Sequence, residues 1–156
     1  MKTIITAIYL LTLSTETFSA TTGTLLLQAI NPRRVSIEVT PVAVASSLDL
    51  TTTQTNLKVA TIVEKSNSKT GYKVTVTSAN LGKLKRENGA EVFTYTMKLD
   101  GSNVNLNTAA GTVFTRTQTM PVTVSRNLTI SYAGKSVETM IEGTYSDTVT
   151  LDIAAR

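Results

Sequence analysis

Residues 143–156 read Gly143-Thr144-Tyr145-Ser146-Asp147-Thr148-Val149-Thr150-Leu151-Asp152-Ile153-Ala154-Ala155-Arg156. Tyr145, Val149, Leu151, Ile153 and Ala155 share one parity, and Thr144, Ser146, Thr148, Thr150 and Asp152 fill the other. A period of two is the signature of a strand with one buried face and one wet face. Asp147 falls in the apolar parity, so it is either a polar contact that fixes strand register or a strand-end residue at a bulge. A second such stretch lies at residues 21–30, TTGTLLLQAI, with Leu25, Leu27 and Ala29 on one face and Leu26 and Ile30 on the other. Chain ends are usually frayed and polar, whereas both of these read as strands.

Between them the pattern repeats about every ten residues. Asn31-Pro32 interrupts the first segment, because proline lacks an amide donor and restricts its predecessor. Val35, Ile37 and Val39 alternate with Ser36 and Glu38 up to Pro41; Leu57, Val59, Thr61 and Val63 form a further segment; Tyr72, Val74 and Val76 follow Gly71. Residues 81–90, LGKLKRENGA, read as a polar loop. Phe93, Tyr95, Met97 and Leu99 then share a face ahead of Asp100-Gly101, a pair suited to a tight hairpin whose central positions need positive φ. Residues 112–119 make a Thr-rich strand suited to an edge. Val122, Val124, Leu128, Ile130 and Tyr132 form another strand, with Arg126 breaking its apolar face.

Composition agrees. The 156 residues include 30 Thr, and this β-branched residue loses rotamer freedom in a helix and suits a strand. No helical stripe of useful length appears. Short strands at this spacing point to one all-β domain, a sandwich or barrel. The chain has no His and no Cys. That excludes imidazole bases, Ser-His-Asp and Cys-His nucleophiles, disulfides and cysteine-bound zinc. Paired carboxylates at a recognisable spacing, Asp-rich calcium loops and Gly-rich phosphate loops are missing too, so the expectation is no enzyme, no cofactor and no metal. The net charge is +4, but Lys and Arg are scattered. Arg33, Arg34, Lys83, Lys85 and Arg86 read as solvated loop charges rather than a nucleic-acid surface. Asn127-Leu128-Thr129 fits a glycosylation acceptor by pattern alone.

Met1 to Ala20, MKTIITAIYLLTLSTETFSA, has the positive start, short apolar run and small-residue end of a secretory signal peptide, with the cleaved bond open between the two sides of Ala20. The run is about ten residues, short of the roughly 20 that span a bilayer. An exported chain without Cys must gain its stability from β burial or from a partner.

The closing stretch Gly143-Thr144-Tyr145-Ser146-Asp147-Thr148-Val149-Thr150-Leu151-Asp152-Ile153 resembles the last strand of chaperone–usher pilins, near the spore coat protein U-like subunits of archaic pili and colonisation-factor pilins. Counted back from Arg156, Gly143 is fourteenth, where such pilins commonly place a glycine. Residues 22–35, 71–76 and 95–101 resemble the family's N-terminal extension and inner strands. Two departures are the absence of the Cys many relatives carry near Val35, and Ala155 where many have an aromatic.

The resemblance implies an incomplete immunoglobulin-like β-sandwich completed by donor-strand exchange, with residues 21–30 as donor extension and residues 31–156 as the sandwich. It implies Leu25, Leu27 and Ala29 as the inserting residues, with Leu26 and Ile30 as the alternative register. The acceptor groove and chaperone-pairing strand would comprise Gly143, Tyr145, Val149, Leu151 and Ile153. The implied partners are identical subunits, a periplasmic chaperone and an outer-membrane usher. The implied place is a fimbrium on the surface of a Gram-negative bacterium, supporting adhesion or biofilm formation. The competing expectation is a secreted carbohydrate-binding or adhesive β-sandwich, disfavoured by the absence of Trp.

Overall fold

The computed structural model describes residues 21–156; the signal-peptide expectation for Met1–Ala20 lies outside them. Residues 21–31 enter no strand ladder. Their apolar side chains are bare: Leu25 is 81% and Leu27 83% exposed, and Leu26 and Ile30 match them. The strand expected over 24–30 is therefore not formed here. Alternation prepares a segment for a sheet, but a strand needs a neighbour to receive its backbone hydrogen bonds.

From Pro32 onward the chain is a two-layered β structure. One sheet contains β1 (Val35–Pro41), β2 (Gln54–Ser66), β9 (Val122–Tyr132), β6 (Thr96–Leu99) and β7 (Ser102–Val104), in that spatial order and antiparallel throughout. Opposite it lie β11 (Val149–Ala155), β3 (Tyr72–Ser78) and β8 (Thr112–Arg116), with β8 at an edge as its Thr content suggests. This layer is extended by β10 (Tyr145–Ser146), β4 (Lys83–Arg86) and β5 (Val92–Thr94). The only other regular segments among the described residues are 3-10 turns at Ala43–Ser46 and Val137–Thr139. No helix among them is long and apolar enough to cross a membrane.

Most alternating residues pack where their parity sends them; in β2, register shifts at Gln54/Leu57 and Lys58/Ala60 turn Ala60 and Ile62 into the core in place of the expected Thr61 and Val63, which stay half-buried. Ile62, Val74, Val76, Phe93 and Leu99 are almost fully enclosed, and Phe93 meets Tyr132 edge to face at 5.4 Å between ring centres. Asp100 and Gly101 adopt φ of 51° and 82° and join β6 to β7 as a two-residue hairpin, as expected of that pair.

Two readings are corrected. Lys83–Arg86 is not loop but strand β4, because Leu84 is buried and anchors the segment while Lys83 and Lys85 point out. Residues 93–99 are not one strand. The chain switches layers at Tyr95, so β5 and β6 belong to different sheets while Phe93, Tyr95, Met97 and Leu99 all remain buried.

Arg126, the break in the apolar face of β9, is neutralised inside the sandwich. Its Nε donates to Oε2 of the fully buried Glu64 at 3.0 Å, and its Nη1 donates to Asp100 at 2.8 Å. Tyr72 donates its hydroxyl to the same Glu64 oxygen at 2.7 Å. Burial and this negative neighbour raise the Tyr72 pKa above the ordinary phenol value.

In chain order β1, β2, β3, β6, β9 and β11 pair as the first six strands of an immunoglobulin-like sandwich: first with second, second with fifth, fourth with fifth, third with sixth. The fold is thus an all-β, immunoglobulin-like sandwich. The seventh strand of that arrangement lies along the outer edge of the sixth. Among the described residues, nothing pairs with that edge of β11.

Candidate functional site: a furrow between the first and last strands

β1 and β11 stand side by side on one flank, each at the edge of its own sheet. They are pinned together at one end. Arg33 Nη1 donates to the carbonyl of Arg156 at 2.7 Å, Thr70 Oγ1 donates to the same oxygen at 2.5 Å, and the Arg156 amide donates to Gly71 O at 3.1 Å. At the other end Val39 and Pro41 face Val149 and Leu151 across an apolar hollow of about 300 Å³, floored by core residues such as Val59 and Ile130. The two strands therefore run in opposite directions and enclose a furrow that opens away from Arg156. Beyond it lies a second hollow of about 350 Å³, between Leu48 and Leu50 on one wall and Gly143, Tyr145 and Ser146 on the other. Ala45, Leu48, Leu84 and Asp147 line both hollows, so they form one continuous furrow.

The backbone of both walls is free in the same register. Ala79 N donates to Thr148 O at 2.9 Å, and Arg156 N bonds Gly71 at the other end of the β11–β3 ladder. In an antiparallel ladder bonded and non-bonded pairs alternate. The even residues of β11 therefore bond β3, and the N–H and C=O of Val149, Leu151, Ile153 and Ala155 point outward. On β1, Asn67 N donates to Arg34 O at 3.1 Å and Val42 N to Val59 O at 2.8 Å. Here the even residues bond β2, leaving those of Val35, Ile37 and Val39 facing out. The residues whose side chains turn toward the furrow are thus the residues whose backbone groups lack a sheet neighbour.

Asp147 sits at the middle of the furrow, in the irregular step between β10 and β11. Its Oδ2 accepts from Ser78 Oγ at 2.5 Å and from the Tyr95 hydroxyl at 2.6 Å, and its Oδ1 accepts from the Asn80 amide at 2.9 Å. Ser78 Oγ in turn accepts from Gly82 N at 2.8 Å. Both sequence readings of Asp147 hold together: it marks a break in the strand, and it fixes the strand on the β3–β4 turn. Burial, reinforced by the hydrogen bond to Asp147, drives the Tyr95 pKa far above the ordinary phenol value.

The residues expected to bound the groove divide. Val149 and Leu151 line the apolar hollow; Gly143 and Tyr145 line the second; Ile153 is half-buried against the core near the pinned end and lines neither. Gly143 has φ of 142°, a conformation side chains avoid, and a Cβ there would meet the Arg86 side chain at 3.2 Å. Arg86 is held in place by Glu91 at 2.7 Å, and Arg33 closes the pinned end. The wall residues Val39, Leu48 and Leu50 and the carboxylate partners Ser78 and Tyr95 were not singled out from sequence as groove residues. Only the exposure of Val39, 42% despite its core-facing parity on β1, marks that wall in hindsight. Leu25, Leu27 and Ala29 lie exposed on the unpaired segment and line neither hollow. Among the described residues, no three His, Cys, Asp or Glu side chains gather into a metal-binding cluster.

No family model matches the chain, and no curated protein matches it either. Among solved structures, the crystal structure of the E. coli Hda pilus minor tip subunit, HdaB, is similar over 76% of this chain and 79% of that one, at 13% identity and a TM-score of 0.39. That likeness is too distant to assign a role.

Proposed function

We propose that this chain is a structural subunit of a chaperone–usher pilus, in which residues 21–30 of one copy insert as a strand into the furrow of the next. The observation that carries this reading is a match of needs within one chain. A furrow with unpaired backbone on both walls stands beside β11, and residues 21–30 form an unpaired segment whose large aliphatic side chains are bare. An exposed edge over an open apolar interior invites aggregation unless something covers it. Strand addition answers both liabilities at once, since main-chain bonds satisfy the edges and alternate side chains enter the hollows. Each fully buried leucine or isoleucine contributes about 1.5–3 kcal/mol, so a few such residues bind one subunit to the next firmly.

On this reading a periplasmic chaperone occupies the furrow first, and an outer-membrane usher exchanges it for the arm of the incoming copy. The product is a homopolymer at the cell surface that supports adhesion or biofilm formation. The arm has two faces: Leu25, Leu27 and Ala29, and Leu26, Gln28 and Ile30.

The test is electrophoresis of unboiled pili in SDS. Strand-exchanged polymers run as ladders that collapse to monomer on heating. The double variant Leu26→Asp/Leu27→Asp, which charges both faces of the arm, abolishes the ladders while the chaperone-bound subunit persists. Ladders unchanged in that variant, or a stable soluble monomer from the unaltered chain, contradict the proposal.

A further inference from the structure

Covering the furrow with a strand buries whatever lines it, and one of its lining groups is a carboxylate. Asp147 faces both hollows and, among the described residues, forms no ion pair; its donors are Ser78, Tyr95 and the Asn80 amide. A carboxylate has about four lone-pair sites. Two donors occupy Oδ2 and one occupies Oδ1, so one acceptor position remains on Oδ1. While the furrow is open, water can fill it. Once an aliphatic strand lies across, that position loses its hydrogen bond, which is unfavourable for a charged group.

We propose that Asp147 is a polar subsite that selects the register of the inserted arm by accepting the side-chain amide of Gln28 from the neighbouring copy. Leu26, Gln28 and Ile30 then face the furrow, and Leu25, Leu27 and Ala29 face outward. This rests on the donor-arm reading above and departs from the expectation that the more aliphatic face inserts.

Spacing supports the choice. Leu151 and Val149 line the apolar hollow, Asp147 stands at the junction, and Tyr145 with Leu48 and Leu50 lines the far hollow. Successive inward residues of a strand are about 6.6 Å apart. With Gln28 at the junction, one aliphatic neighbour falls in each hollow, Leu26 on one side and Ile30 on the other. Because the amide is the middle residue of three, the match holds whether the arm runs parallel or antiparallel to β11. The opposite face lacks this property: every large residue on it is aliphatic, so whichever sits over Asp147 strips water from the carboxylate and returns no donor. A one-residue slip exchanges the two faces completely, so a single hydrogen bond at the junction suffices to discriminate between them.

The experiment compares two arm variants in assembled pili, reading the temperature at which unboiled polymers dissociate in SDS. Both changes lie on an exposed segment and leave the sandwich intact. Gln28→Leu, although more apolar, is expected to lower the dissociation temperature by about 5 °C or more. Leu27→Gln, on the outward face, leaves it unchanged. Any other combination, above all weakening by Leu27→Gln with Gln28→Leu unaffected, overturns the subsite. Absence of SDS-resistant polymers from the unaltered chain overturns instead the donor-arm reading on which the subsite depends.

Discussion

The two flanks of the sandwich carry the same kind of side-chain pattern and end in opposite states. On one, residues 105–111 cross from β7 to β8 and seal the interior. Asn105 donates its amide to Thr112 Oγ1 at 2.6 Å, and Val104 and Leu106 are buried, Leu106 to 4% exposure. On the other, β1 and β11 flank an apolar hollow, Val39 is exposed, and Val149 and Leu151 are half-buried. Alternation alone therefore does not decide burial. A covering segment does, and among the described residues the open flank has none.

That contrast can be broken or sharpened by substitution. The largest effect is expected in the sealed interior between the two flanks. Arg126→Met leaves Glu64 buried without its cation, and the domain loses about 3–5 kcal/mol in chemical denaturation. Leu106→Ala, in the closed flank, costs about 2–5 kcal/mol in subunit and polymer alike. Leu151→Ala, in the open flank, costs less in the isolated subunit because part of its surface is already wet, and its cost grows once the subunit is polymerised. Equal costs for the two leucines in the isolated subunit would show that the furrow is already filled.

A smaller effect is expected at Asp147. Tyr95→Phe removes one of its donors and costs about 1 kcal/mol at neutral pH. Tyr95 also titrates far above the ordinary phenol value when folded. A raised folded pKa gives stability that is complete below the unfolded value, about 10, and is lost as pH rises from there toward the folded value. Tyr72 and Tyr132 are raised as well. Stability therefore declines above about pH 10, and Tyr95→Phe makes that decline shallower. An unchanged alkaline slope would contradict the burial of its hydroxyl on Asp147.

The sequence makes the regular parts legible where alternation is long and uninterrupted: residues 72–77, 122–132 and 149–155, and the Asp100-Gly101 turn. Lys83–Arg86 escaped because it carries only one apolar residue, Leu84, and a period needs more than one. The change of layer at Tyr95 escaped because parity is preserved across it; the buried side stays buried while the ladder partners change. Arg126 registers in the sequence as an anomaly, but its partner Glu64 lies 62 positions away and is visible only once β2 and β9 pair. The furrow was half legible. β11 shows its parity plainly, whereas Leu48 and Leu50 reach the opposite wall through a loop with no period to read.

The most direct measurement of the open flank is backbone amide hydrogen exchange along β11, taken on the isolated subunit and on the assembled polymer. The ladder with β3 protects the amides of Thr150 and Asp152 in both. The amides of Val149, Leu151 and Ile153, which face the furrow edge, exchange rapidly in the subunit and become protected in the polymer. Alternate amides already protected in the isolated chain, or still unprotected after assembly, would contradict the account.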